Sequence, residues 1–322
     1  MKQLNEKIID EIAKRLPDKK RTVIYLMDLL NIGKESAYRR LNNQIPFTFE
    51  EAITVAHDLD FSIDRMIGNE MKNRVFFDLP IDTTQNPVDL YIQNLDHSNK
   101  TMEELLRASN TSIVAALNRM PLVFFPFKTL FKFEYCHYLY SIGQIPLMTQ
   151  FSDIVITPQM EKLHELGTNY CMRLQNITCV ANSLIYNSLI NEIRYYHRLK
   201  FISKEDLRIL QAELLELFAM HENILRTGQN QQGSQYSIYY SQLEIGANCV
   251  HYEYDENVML QIWLYPENSI VIKNNHIMAE IQKRWLEATI RNSTLITKSV
   301  DPTQIEILRN VYMQIMRLTE DN

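Results

Sequence analysis

Eleven residues from Lys34 to Gln44, KESAYRRLNNQ, gather a Ser, a Tyr, two adjacent arginines and two asparagines. In a helix, Ala37 and Leu41 lie four apart and face a core, while Lys34, Glu35, Ser36, Tyr38 and Arg39 lie on or beside the outward face. Arg suits guanine best, because its guanidinium donates two hydrogen bonds to O6 and N7. Tyr38 can touch a thymine methyl or bond a phosphate. Arg40, Asn42, Asn43, Lys20 and Arg21 suit phosphate contacts, which position a protein without reading sequence. Either Arg39 or Arg40 can be the base reader, because a register shift of one residue turns a helix by about 100°.

Other chemistry-bearing residues are scattered. Cys136 adjoins His137, and Cys249, His251, Glu253 and Asp255 alternate along NCVHYEYDE. In a strand those four share one face, which could hold a metal. The simpler reading is an exposed polar face with Val250, Tyr252 and Tyr254 turned inward. Cys171 and Cys179, eight apart in a helical-looking run, read as core thiols. Two aromatic groups could line a pocket: Tyr195 and Tyr196 with His197 and Arg198, and Tyr236, Tyr239 and Tyr240 with Trp263 and Tyr265. Aromatic residues so spaced more often form plain core. No GxxxxGK[ST], GxGxxG, HExxH or GxSxG motif occurs. The expectation is therefore no catalytic residue, no metal site, no cofactor and no enzyme.

The 322 residues carry a net charge of −6, and 46% of them are apolar. This excludes a disordered chain and a protein coated in basic surface. Charge is nonetheless uneven. Residues 1–69 hold 11 basic and 11 acidic residues, and within them residues 14–40 reach +5. A local basic footprint on an acidic body fits a small nucleic-acid module. The four cysteines form no CxxC pair, and the amphipathic N-terminal segment lacks the apolar centre of a signal peptide. No run approaches the ~20 apolar residues that cross a bilayer. Reduced thiols, a cytoplasmic location and no membrane partner are expected.

The first seventy residues supply the elements that position the basic stretch. Leu4, Ile8, Ile12 and Leu16 give a first helix, which Pro17 ends. DKKRT reads as a connector and Thr22 as the N-cap of VIYLMDLL. NIG is the turn, with Asn31 and Gly33 as residues that tolerate left-handed backbone. Two short helices around such a turn make a helix-turn-helix. Thr48 and Glu51 form a capping box before a fourth helix. FSIDRMIG reads as a fifth, between Ser62 and Gly68.

Five short helices, the NIG turn, SAYRRLNN and the closing LDFSIDRMI resemble the phage-repressor (Cro/C1-type) helix-turn-helix domain over about residues 1–69. NQIPFTF lacks the glycine usual after the third helix, and the second helix lacks its usual Gln-rich start. The resemblance implies double-stranded DNA as partner and the outward residues named above as contacts.

For the remainder, residues 70–95 read as a linker, 96–228 as a helical oligomerisation region and 229–322 as an α+β sensor region. The fold class expected is mainly α with an α+β C-terminal part. It comprises an N-terminal five-helix helix-turn-helix domain, a helical middle and a small antiparallel sheet region. Short hydrophobic runs separated by IGAN, DEN and PEN carry the sheet. A homodimer through residues 70–322 is expected, since paired half-sites are the usual DNA target of such domains. A small-molecule or protein effector is a further possible partner. The alternative is a ligand- or protein-interaction module that uses the helix-turn-helix as an adaptor.

Overall fold

The structure, a computed structural model, describes residues 2–63, 66, 86–144, 149–182, 184–265, 268–299 and 302–320. The chain divides into two compact units, residues 1–76 and 77–322.

Unit 1 contains α1 (Lys2–Arg15), α2 (Lys19–Leu30), α3 (Lys34–Leu41) and α4 (Phe49–Asp58). Ile8 and Ile12 of α1, Val23 and Leu26 of α2, Ala37 of α3, and Ala52 and Val55 of α4 close one core around Phe47. The fifth helix expected over 61–68 falls mostly outside the described residues. So do residues 70–85 of the expected linker. Its last part is no linker: α5 (Pro87–Arg107) starts there, with Asn86 capping the Val88 N–H and Pro87 in the first turn.

Unit 2 continues through β1 (Thr111–Leu117), α6 (Lys128–Ser141), α7 (Pro158–Arg173), β2 (Ile177–Ala181), α8 (Leu184–Arg198) and α9 (Lys204–Thr227). Then come β3 (Tyr236–Tyr240), β4 (Cys249–Tyr254), β5 (Asn257–Tyr265), β6 (Asn268–Lys273), α10 (His276–Arg291), β7 (Thr294–Leu295) and α11 (Pro302–Met316). The seven strands form one sheet in the order β6-β5-β4-β1-β2-β3-β7. β1, β2 and β3 run parallel, and every other pairing is antiparallel.

The sheet corrects three expectations. It is mixed, not a small antiparallel one. The boundary expected at 228/229 runs through it, because β1 and β2 come from the supposed helical middle. The helical run expected from Thr168 to Leu199 is broken by β2, so Cys171 sits on α7 and Cys179 on a strand. Asn176 takes a left-handed φ of 56° and turns the chain into ITCVA, whose β-branched Ile177, Thr178 and Val180 favour extended backbone. A strand buried on both faces shows no alternation, so its pattern reads like a buried helix.

One face of the sheet packs Ile113, Ala115, Cys179, Val250, Tyr252 and Met259 against Met102 and Leu105 of α5. The other face packs Ala116, Val180 and Cys249 under Leu286 of α10. A second helical core joins α6, α8, α9 and α11 around Phe131, Phe133, Leu189, Leu210 and Ile315. Gly167 lets α7 approach α5: a Cβ there would stand 2.5 Å from the Asn99 Oδ1, while Asn99 donates to the Leu163 carbonyl at 2.8 Å. No described helix is long and apolar enough to cross a membrane.

Candidate nucleic-acid interface

The start of α2 differs from the expectation. Asp18, not Thr22, is the N-cap: its carboxylate accepts the Lys20 N–H at 2.9 Å and the Arg21 N–H at 3.4 Å. Thr22 lies one turn inside, buried, and its hydroxyl donates to the Leu16 and Asp18 carbonyls at 2.9 Å. The helix therefore begins four residues early, and DKKRT is no connector. Lys19, Lys20 and Arg21 become the first turn of α2, all exposed. Cations there oppose the positive end of the helix dipole, so the placement costs stability. Arg21 reaches Asp18 only at 3.7 Å with both side chains largely in solvent, a pair of little strength.

The turn is built on Asn31 alone. It takes φ 51° and ψ 48°, and its N–H donates to the Met27 carbonyl. Gly33 caps α3 with φ −69° and open space where a Cβ would stand, so it meets no left-handed requirement. This corrects the pairing of Asn31 and Gly33. Ala37 is fully buried, which draws α3 against α2, and Leu41 and Tyr38 pack half-buried on the edge of the same core.

The outward face of α3 then sorts the polar residues. Lys34, Glu35 and Arg39 are exposed, and Ser36 is half-buried. Arg40 turns the other way and forms a bidentate pair with Glu51 of α4, Nε to Oε2 at 2.9 Å and Nη2 to Oε1 at 2.7 Å. Both side chains are mostly buried. Burial pulls the Glu51 carboxyl up, but the bonds from Arg40 and the Thr48 N–H outweigh it and hold the group below the ordinary carboxylate value. The same Glu51 completes the expected capping box with Thr48. Arg40 is thus tied to the frame, and Arg39 is the arginine left facing outward.

Two asparagines separate likewise. Asn42 is exposed, and its Oδ1 accepts Lys19 Nζ at 3.0 Å, so the end of α3 adjoins the start of α2. Asn43 takes φ 55°; it donates to Glu6 at 2.9 Å and accepts from Asn5 at 2.6 Å. Asn5, buried in α1, also accepts the Phe47 N–H at 2.9 Å. Asn43 is a latch between the loop and α1. Nothing in the sequence singled out Asn5, since an Asn within an amphipathic helix usually faces solvent.

The other candidate clusters take structural places. Cys249 and His251 are buried beneath α10, so the 249/251/253 face is not the exposed polar face expected. His251 Nε2 lies 3.3 Å from Glu253 Oε1, and Lys283 of α10 reaches the same oxygen at 2.7 Å. The Lys283 bond chiefly holds the Glu253 carboxyl below its usual value. Asp255 leaves the strand at φ 48° and accepts the Ser109 N–H at 3.0 Å and the Asn110 N–H at 3.3 Å. Burial pushes the Cys136, Cys171 and Cys179 thiols up to about 12 and the Cys249 thiol to about 11, which suppresses the thiolate that a nucleophile or ligand needs. His137 Nδ1 lies 3.0 Å from the Tyr196 hydroxyl. Tyr196 is buried, whereas Tyr195 is exposed and its hydroxyl lies 3.3 Å from that of Tyr140. The second aromatic group forms no single pocket: three strands separate β3 from β5, about 19 Å at ordinary strand spacing. Among the described residues, no three His, Cys, Asp or Glu side chains gather as a metal site.

A cluster that the sequence hid lies beyond the end of β1. Arg119 donates to both oxygens of Glu192 on α8, at 2.5 and 2.7 Å, and to Glu134 on α6 at 2.7 Å. Burial works against the Arg119 charge, but the two carboxylates outweigh it and raise its pKa further. Asn248 fixes the backbone, accepting the Asn118 and Arg119 N–H groups and donating to the Arg119 carbonyl. The partners lie 15 and 73 residues from Arg119, beyond any local signal.

Comparison with protein-family models, with curated proteins and with solved structures found no match to this chain.

Proposed function

We propose that the chain is a sequence-specific DNA-binding transcription regulator of the cytoplasm. Residues 1–69 act as a helix-turn-helix domain, and the larger unit pairs two copies and answers an effector. The observation that carries this is the cation placement around α3. Lys34 and Arg39 face outward on α3, and three more cations occupy the first turn of α2 beside its end, where the helix dipole disfavours them. A phosphate repays that arrangement, since an anion there suits the helix dipole and neutralises the cations. Arg39 reads a base from the major groove, Lys34, Glu35, Ser36 and Tyr38 flank it, and Lys20, Arg21 and Asn42 meet phosphates. Arg40 and Asn43 support the frame.

Selecting bound duplexes from a random pool with the full chain tests the reading, followed by mobility-shift titration. Arg39→Ala weakens the selected site by about 1–3 kcal/mol and relaxes one base position. Lys20→Ala weakens all sequences alike and lowers the salt slope by about one unit. Binding that is absent, or insensitive to salt, refutes the proposal.

A second reading has its own observation. Phe49 and Ile53, one turn apart on α4, are 76% and 46% exposed. They favour a protein contact through unit 1, which Phe49→Ser removes without touching DNA affinity.

A further inference from the structure

The outer face of α10 is apolar where a surface helix should be polar. Ile277 and Ile281 are 58% and 57% exposed, and Trp285 is 43% exposed. At about 100° per residue, the three fall within an arc of about 80°, with the small Ala288 between them. The opposite side of the helix packs Ala279 and Leu286 onto the sheet, so this stripe is left over after folding. Contiguous exposed apolar surface of this kind marks an interaction site.

The charges beside the stripe identify its partner. Glu280, Arg284, Glu287 and Arg291 all lie on one flank of it, alternating in sign. Within the chain they pair along the helix, Arg284 with Glu280 at 2.7 Å and Arg291 with Glu287 at 4.0 Å, all well exposed. In an antiparallel pair of identical helices, a flank meets its own copy. One two-fold axis, between positions 285 and 286, sets Glu280 against the partner's Arg291. The same axis sets Arg284 against the partner's Glu287. A parallel pair would set the flank against Met278, Gln282 and Thr289, with no charge to match.

We propose that α10 is a dimer interface and that its occupant is the α10 of a second copy, antiparallel. Trp285 meets the partner's Trp285 near the axis, and Ile281 packs toward the partner's Ala288. The contact is isologous, the form that closed two-fold dimers take. It deepens the homodimer part of the function proposed above by naming the surface, and it stands apart from DNA binding.

The test is sedimentation equilibrium on the full chain across a concentration series, read beside circular dichroism. The wild type dimerises, and Trp285→Glu raises the dimer dissociation constant by at least about thirty-fold with the fold intact, as loss of a central aromatic anchor does. Arg284→Glu and Glu287→Arg each weaken self-association. Mixing the two variants restores a dimer, because both cross-pairs become attractive, and the double variant Arg284→Glu/Glu287→Arg restores it alone. Ile305→Glu, on the exposed face of α11, leaves the dimer unchanged. A monomeric wild type overturns the proposal, whether or not another protein binds α10. So does a dimer that Ile305→Glu breaks and Trp285→Glu does not, or a mixture that fails to reassociate. A dimer that forms as described but binds no DNA fails only the DNA-binding reading.

Discussion

The exposed cations around α2 and α3 of unit 1 contrast with the enclosed Arg119 of unit 2. In unit 1, Lys19, Lys20, Arg21, Lys34 and Arg39 stand in solvent, four of them in the first turn of a helix, where cations are least welcome. In unit 2, Arg119 is enclosed by Glu134 and Glu192, with Glu134 almost wholly buried. A charge that serves the fold is enclosed and paired. Of the exposed cations of unit 1, Lys20, Arg21, Lys34 and Arg39 are the ones that the proposed function assigns to DNA. The same contrast recurs within α3, where Arg40 is paired with Glu51 and its neighbour Arg39 is exposed.

Breaking the enclosed site has the largest effect. Arg119→Ala leaves two carboxylates in poor solvent and lowers unfolding free energy by about 3–5 kcal/mol, measured by urea denaturation. A loss under about 1 kcal/mol would mean that water replaces the guanidinium, and the contrast would fail.

Two histidines of unit 2 resist protonation, which makes its stability depend on acid. Burial pushes His164, stacked on Phe131 at 4.0 Å, and His221, bonded to Tyr186, down to about 4. A histidine with a depressed folded pKa stays neutral in the fold while the unfolded chain takes up a proton. Stability is therefore lost as pH falls from about 6.5 to about 4, on the order of 3 kcal/mol for each group, and is flat below. His164→Gln keeps an N–H for the backbone carbonyls of Leu122 and Phe125 and removes one of these two losses. Denaturation midpoints at pH 7 and pH 4.5 read the difference, and an unchanged acid slope rejects this placement of His164.

The two neighbours on α3 sharpen the comparison at smaller scale. Arg40→Ala destabilises unit 1 by about 1.5–3 kcal/mol, because Glu51 loses charged bonds at a mostly buried position. Arg39→Ala changes stability by less than about 0.5 kcal/mol. Equal effects would erase the distinction between frame and face. The smallest effect has the opposite sign. Lys20→Glu stabilises unit 1 by about 0.3–1 kcal/mol, since an acid suits the first turn of a helix, while weakening DNA binding. A destabilised variant would show that Lys20 supports the fold.

Unit 1 was largely legible because its signals are local. The spacing of Ile8 and Ile12, the Thr48–Glu51 box and the Ala37 contact are each fixed within a turn or two, and the structure contains all three. The Asp18 cap was misread because Asp and Thr are both good caps, and only the hydrogen bonds choose between them. Unit 2 was less legible. β2 lies near the centre of the sheet, where ITCVA is buried on both faces and loses the alternation that marks a strand, whereas the β-branched run TSIVAAL did suggest the buried strand β1. A polar face read from alternation on β4 proved buried, because α10, some thirty residues later, lies over it.

By itself the sequence determined the helices α1, α3 and α4 of unit 1, the place of the turn between α2 and α3, the basic footprint and the inward side of Ala37. Each follows from side chains within a few residues of one another. Tertiary structure alone decided that Arg40 is spoken for and Arg39 is not, that β1, β2 and β3 run side by side in parallel, and that Arg119 meets Glu134 and Glu192. Those outcomes depend on which distant elements come to rest against each other. That choice is made by burial summed over the whole core, and no single segment carries it.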